Sequence, residues 1–119
     1  MAPPTFLQYK GHRILRLDYS GASPDAIIAY MREARPIIAS EPLHSVRLLS
    51  IVAIQVTEGI AEALREFAAH NVPFVRASAI VGATPFQKSI IGLSIKSQGR
   101  LNVEMFDDEQ QAKDWLATR

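Results

Sequence analysis

The run from Val46 to Val56, reading Val-Arg-Leu-Leu-Ser-Ile-Val-Ala-Ile-Gln-Val, constrains the fold more than any other part of this chain. It is rich in β-branched residues, nearly continuous in its apolar character, and bounded by polar segments. Strands that alternate apolar with polar residues keep one face in water, whereas a continuous run of this kind predicts a central strand buried on both faces. Phe74 to Val81 repeats the pattern and predicts a second central strand. Neither run is long or uninterrupted enough to cross a bilayer.

The remaining segments supply the layers that would cover such strands. Phe6 to Tyr9 and Ile14 to Tyr19 read as two short strands joined at Lys10-Gly11, where glycine can provide the positive φ of a tight hairpin. In the second of them Leu15, Leu17 and Tyr19 alternate with Arg16 and Asp18, so one face should be buried and the other partly wet. Ser23, Pro24 and Asp25 then mark a helix start, as N-cap, first helical residue and acidic complement to the helix dipole. Ile27, Met31, Ala34 and Ile38 form its core stripe. Pro36 lacks the N–H that would bond the carbonyl of Arg32, and its ring predicts a kink or break there.

Thr57 caps a second helix whose stripe is Ile60, Leu64, Phe67 and Ala68 and which Asn71 and Pro73 end. A third helix is expected from Thr84 to about Gln98, closed by Gly99, followed by a strand from Leu101 to Phe106. A final amphipathic helix begins at Asp107-Asp108-Glu109 and docks through Ala112, Trp115 and Leu116. Strands alternating with helices after an opening hairpin predict a single α/β domain over residues 1–119, with a mixed, mostly parallel sheet of about five strands and helices packed on it.

Composition narrows the functional classes. Apolar residues make up 48% of the 119 and charged residues 21%, the balance of an ordinary globular domain. The formal net charge of +1, with Arg and Lys scattered, provides no clustered basic face for nucleic acid or an anionic membrane. The absence of cysteine excludes disulfides, thiolate zinc sites and cysteine nucleophiles. The opening residues have neither a basic nor an apolar leader region, so a soluble, cytoplasmic protein is expected.

Three phrases, "LDYSG" at Leu17 to Gly21, "LREFAAHNVPFVRASAIVG" at Leu64 to Gly82 and "MFDDEQQAKDWL" at Met105 to Leu116, resemble the SpoIIAA-like family of the STAS superfamily, whose members are also described as STAS/SEC14-domain proteins. The likeness extends over nearly the whole chain. It implies a SpoIIAA-like fold and a small regulatory or binding module with no catalytic residues. In the anti-anti-sigma factors of that superfamily, a Ser or Thr at the start of the helix after the central strand is phosphorylated by a partner kinase. The matching hydroxyl here is Thr57, although this chain has Gln55-Val56-Thr57-Glu58-Gly59 where those relatives carry an Asp-Ser-x-Gly phrase. The displaced "DYSG" at Asp18 to Gly21 reads as a turn in which Asp and Ser bond nearby backbone.

The stretch "VGATPFQKS", Val81 to Ser89, admits two readings. Thr84 and Gln87 fit a capping box, in which each side chain bonds the other residue's backbone N–H. Alternatively Gly82, Ala83, Thr84 and Lys88 hold an anion at a helix start, making the domain responsive to phosphate or nucleotide. The helix it would open is apolar around most of its circumference. Phe86, Ile90, Ile91 and Ile95 could therefore face a protein partner, a second copy of the chain or an apolar small ligand.

His12, His44 and His70 lack the spacing of metal ligands, Ser20, Ser78 and Ser89 lack a nucleophile elbow, and Asp107 to Glu109 are explained as helix-start residues. The expectation is a protein without catalytic residues, metal or cofactor. It would act through protein contact, including homodimerisation, or through an apolar ligand, without nucleic acid and without membrane insertion.

Overall fold

The computed structural model describes residues 2–53, 57–84, 87 and 102–119. Along the chain run β1 (Thr5–Tyr9), β2 (His12–Asp18), α1 (Pro24–Ala39), β3 (Val46–Ile51), α2 (Glu58–Asn71), β4 (Val75–Val81), β5 (Val103–Phe106) and a third described helix, α3 (Glu109–Leu116). The strands form one sheet in the order β1-β2-β3-β4-β5. β1 pairs antiparallel with β2, and every other pairing is parallel.

The opening hairpin follows from its turn. Lys10 and Gly11 have φ values of 49° and 80°, the two positive angles of a type I′ turn, whose twist matches that of the flanking strands. Glycine reaches this region without strain, and Lys10 is carried there by the pairing of Tyr9 with His12.

Period-two alternation divides the sheet's side chains between two cores. Leu15, Leu17, Val46, Leu48 and Val75 point to the face covered by α1 and α2, where they meet Ile27, Tyr30, Met31, Ala34, Ile38, Ile60 and Phe67. Ile14, Leu49, Ala77, Ala79 and Val81 point to the other face, where Ala112 and Leu116 of α3 close over them and Phe106 and Trp115 pack at the margin. Leu48 and Leu49 are thus both buried, on opposite sides, as the continuous run predicts. All four residues of the stripe expected on α1 are buried, and Tyr30 joins them with its ring edge-on to Tyr19 at 5.2 Å. On α2, Ile60 and Phe67 are buried while Leu64 and Ala68 are half-buried.

Two local features differ from the simplest reading of the sequence for identifiable reasons: a strand shorter than its apolar run and a helix that continues past a proline. The strand expected from Val46 to Val56 ends at Ile51, with Val52 and Ala53 outside it and residues 54–56 outside the described residues. Its neighbours end level with it, at Asp18 and Val81, so after the Val52 N–H reaches the Val81 carbonyl at 2.8 Å there is no further ladder to join. Pro36 does not break α1, which continues to Ala39. Arg32 and Pro36 both lie on the exposed side of the helix, where water can satisfy the Arg32 carbonyl that Pro36 leaves unbonded. The fully buried Ile38 holds the last turn against the core, and Ser40 bonds the Pro36 carbonyl through its N–H at 3.1 Å and its hydroxyl at 2.6 Å.

The helix expected from Thr84 to Gln98 lies outside the described residues except at Thr84 and Gln87.

Because Leu49 is fully buried beneath α3, Leu49→Ala is expected to lower the unfolding free energy by about 2–5 kcal/mol. Gln8→Ala on the exposed surface of β1 should change it by less than about 0.5 kcal/mol. Denaturant titration of both variants checks this, and equal effects would contradict the assignment of the second core.

Candidate functional site

In open parallel sheets the loops beyond the carboxyl ends of the strands are the usual place for ligands. Here β2, β3, β4 and β5 end level at Asp18, Ile51, Val81 and Phe106, and the chain leaves each at this carboxyl edge. The polar side chains that follow the four strands are bonded to backbone nearby. Ser23 accepts from the Ala26 N–H at 3.3 Å, Thr57 from the Ile60 N–H at 3.3 Å, and Asp108 from the Gln111 N–H at 2.7 Å. Thr57, the phospho-acceptor candidate of the sequence analysis, is thus the N-cap of α2 and is exposed.

Thr84 and Gln87 make both bonds of the capping box: the Thr84 N–H donates to Gln87 Oε1 at 3.0 Å, and the Gln87 N–H donates to Thr84 Oγ1 at 3.2 Å. These are backbone donors that an anion at Gly82, Ala83 and Thr84 would otherwise use. Gly82 itself has φ 88°, and a Cβ there would lie 3.4 Å from the Ala53 backbone nitrogen. Its place is explained by a left-handed turn that brings the loop after β4 against the loop after β3. Lys88, Phe86, Ile90, Ile91 and Ile95 lie outside the described residues.

A charged network on the α3 side of the same edge links elements remote in sequence. Arg16 donates from Nε to Glu109 Oε1 at 2.6 Å and from Nη2 to Oε2 at 3.3 Å, a two-pronged bond between β2 and the start of α3. Its Nη1 reaches Asp18 at 3.5 Å. Asp18 in turn accepts from the Ser20 N–H at 2.9 Å and the Ser20 hydroxyl at 2.5 Å, while Gly21 adopts φ 73°. This is the turn expected from "DYSG".

Burial works against ionisation of Asp18, but the Ser20 bonds and Arg16 outweigh it and hold the carboxyl below its ordinary range. The Arg16 bond does the same for Glu109 against a smaller desolvation, and Glu109 raises Arg16 in return. A second polar cluster ties the hairpin to α3. Tyr9 donates its hydroxyl to Asp114 and accepts from Gln110, and Lys10 pairs with Asp114 at 2.9 Å.

Spacing rules could not reveal either network, since Arg16 and Glu109 are 93 positions apart and Tyr9 and Asp114 are 105 apart. Among the described residues no group of three or more His, Asp or Glu side chains is placed to hold a metal ion. No helix there is long and apolar enough to cross a membrane.

No protein-family model, curated protein or solved structure matches the chain.

The lowered carboxyl groups set a pH dependence. A folded-state pKa below the unfolded one contributes stability above the unfolded value, and that stability is lost as pH falls through the folded value. With ordinary values of 3.8 for Asp18 and 4.5 for Glu109, stability should fall as pH drops below about 5. Asp18→Asn combined with Glu109→Gln should be less stable at neutral pH and lose less on acidification. Urea midpoints recorded across that range test this, and parallel curves for variant and parent would contradict it.

Proposed function

We propose that this chain is a SpoIIAA-like regulatory or binding module that works without catalysis, by contact with another protein or with a second copy of itself. The observation that carries the proposal is a preformed apolar surface at the amino edge of the parallel sheet. Leu43 is 66% exposed and Val72 48% exposed, in the loops that lead into β3 and β4. These loops are stitched together by the His44 N–H to the Pro73 carbonyl at 3.0 Å, and by the Ser45 and Val46 N–H groups to the Phe74 carbonyl at 3.1 and 2.9 Å. Pro42 and Pro73 stiffen the same loops.

Large apolar side chains held in water on rigid loops suit association, because their burial is favourable and little backbone order remains to be gained on binding. At the opposite edge, Ser23, Thr57, Thr84 and Asp108 are occupied with helix starts, which favours contact over phosphate chemistry. A phosphate-responsive turn at Gly82 to Lys88 and a phospho-switch at Thr57 are the alternatives. Each would require a capping bond to be released.

Light scattering after size exclusion, with native mass spectrometry before and after denaturation, tests the proposal. The expected result is a noncovalent mass above the 13.2 kDa monomer that Leu43→Lys combined with Val72→Lys reduces. Folding stability should shift by no more than about 0.5 kcal/mol per surface change. An assembly mass identical in parent and variant would contradict it.

A further inference from the structure

We infer that β1 is the seam of a homodimer: its outer edge pairs antiparallel with β1 of a second copy about a twofold axis at Leu7, so that one sheet runs through both chains. β1 is an edge strand, with only β2 beside it in the sheet. Edges of this kind are templates for strand addition, and monomeric proteins blunt them with charge, proline or bulges. Thr5-Phe6-Leu7-Gln8-Tyr9 has neither charge nor proline, and it pairs with β2 residue for residue without a bulge. The hairpin determines which of its groups face outward. The type I′ turn at Lys10-Gly11 closes on Tyr9 and His12, which makes them a hydrogen-bonded pair. Bonded and non-bonded pairs alternate along an antiparallel ladder, so Leu7 and Thr5 also bond β2, while Phe6 and Gln8 turn their N–H and C=O groups away from it. Among the described residues no hydrogen bond outside the hairpin reaches Phe6 or Gln8.

These outward groups match a second copy of themselves, the condition for an isologous contact. About an axis at Leu7, Phe6 of one copy lies opposite Gln8 of the other, and each donates to and accepts from its counterpart. Pro4 falls opposite Lys10, so pairing stops at both ends together. Moving the axis to Phe6 would set Pro4, which has no N–H, against Gln8, and moving it to Gln8 would set the turn residue Lys10 against Phe6. Only the axis at Leu7 uses every outward group of the strand.

The strand is also held in place on both faces, so little order remains to be gained on pairing. Phe6 packs against the core under α1 and α2, with the Arg13 guanidinium 3.5 Å from its ring centre and Arg13 paired to Glu41 at 2.8 Å. Leu7 and Tyr9 pack against the core under α3, where Tyr9 bonds Asp114 and Gln110. All three apolar side chains are nonetheless only half-buried, and a second copy would cover Leu7 with its own Leu7. The charges flanking β1, Lys10 and Arg13, are already paired with Asp114 and Glu41, so the axis brings no unpaired like charges together. Leu43 and Val72 lie outside β1, and the seam does not depend on them.

The chain has no cysteine, so one introduced thiol reports the seam. Every variant carries Leu43→Lys and Val72→Lys, so that the amino-edge surface cannot supply the association. Leu7→Cys under mild oxidation should give a disulfide-linked dimer, because residues opposite one another in a non-hydrogen-bonded pair have Cα atoms about 4.5 Å apart, within disulfide reach. Thr5→Cys is more exposed but lies opposite Tyr9 of the second copy rather than its own counterpart, and it should cross-link at least about tenfold more slowly. Gln8→Pro removes an outward N–H and leaves the β1–β2 ladder intact. Light scattering after size exclusion should show about twice the 13.2 kDa of one chain before Gln8→Pro is introduced and the single-chain mass after it, with unchanged circular dichroism. Equal cross-linking of Leu7→Cys and Thr5→Cys, or a single-chain mass without Gln8→Pro, would overturn the seam.

Discussion

Burial of β3 from both sides is the constraint on which the rest of the molecule depends. Leu48 and Leu49 are adjacent in sequence and point into different cores, one roofed by α1 and α2 and the other by α3. A strand with two apolar faces cannot sit at a sheet edge in water, so it is flanked by β2 and β4 and covered above and below. Parallel neighbours require long connections; α1 and α2 are two of these and cover one face, while α3, after the last strand, covers the other. Sheet order, layer count and the docking of the carboxyl-terminal helix all follow from this one run.

The same arrangement determines where polar groups are available. Parallel strands of equal reach deliver their chain exits to one edge, and the segment leaving each must satisfy the free N–H groups of a helix start. Ser23, Thr57, Thr84 and Asp108 do so. The edge where an α/β protein most often holds a ligand is therefore occupied, in its described part, by bonds that begin helices. Arg16 and Glu109 fasten the start of α3 across it. The opposite edge differs: its loops are pinned by backbone bonds, by the Ser45 hydroxyl on the Pro42 carbonyl and by the Arg13–Glu41 ion pair, and they leave Leu43 and Val72 at the surface.

What the sequence disclosed was whatever local chemistry determines. The Lys10-Gly11 turn, the caps, the Asp18–Ser20 turn and the capping box at Thr84 depend on residues within four positions of one another, and each forms as its residues imply. The end of β3 was not legible, because Val52 to Val56 are as apolar as the strand itself and only the neighbouring strands decide where pairing stops. Whether Pro36 breaks its helix was not legible for a related reason: the outcome depends on which side of the helix faces water. Arg16–Glu109 and Tyr9–Asp114 are products of topology, joining residues whose separation in sequence carries no information about their contact.

If β3 couples the two faces, the cores should be a single cooperative unit. Native-state hydrogen exchange of the Leu48 and Leu49 amides, measured in the parent and in Phe67→Ala and Leu116→Ala, addresses this directly. Phe67 belongs to the core under α1 and α2, Leu116 to the core under α3. The account predicts that either substitution lowers protection of both amides by the same amount as it lowers global stability. Protection of β3 that survives Leu116→Ala, with α3 alone exchanging faster, would show a helix laid on a sheet already stable without it and would contradict the account.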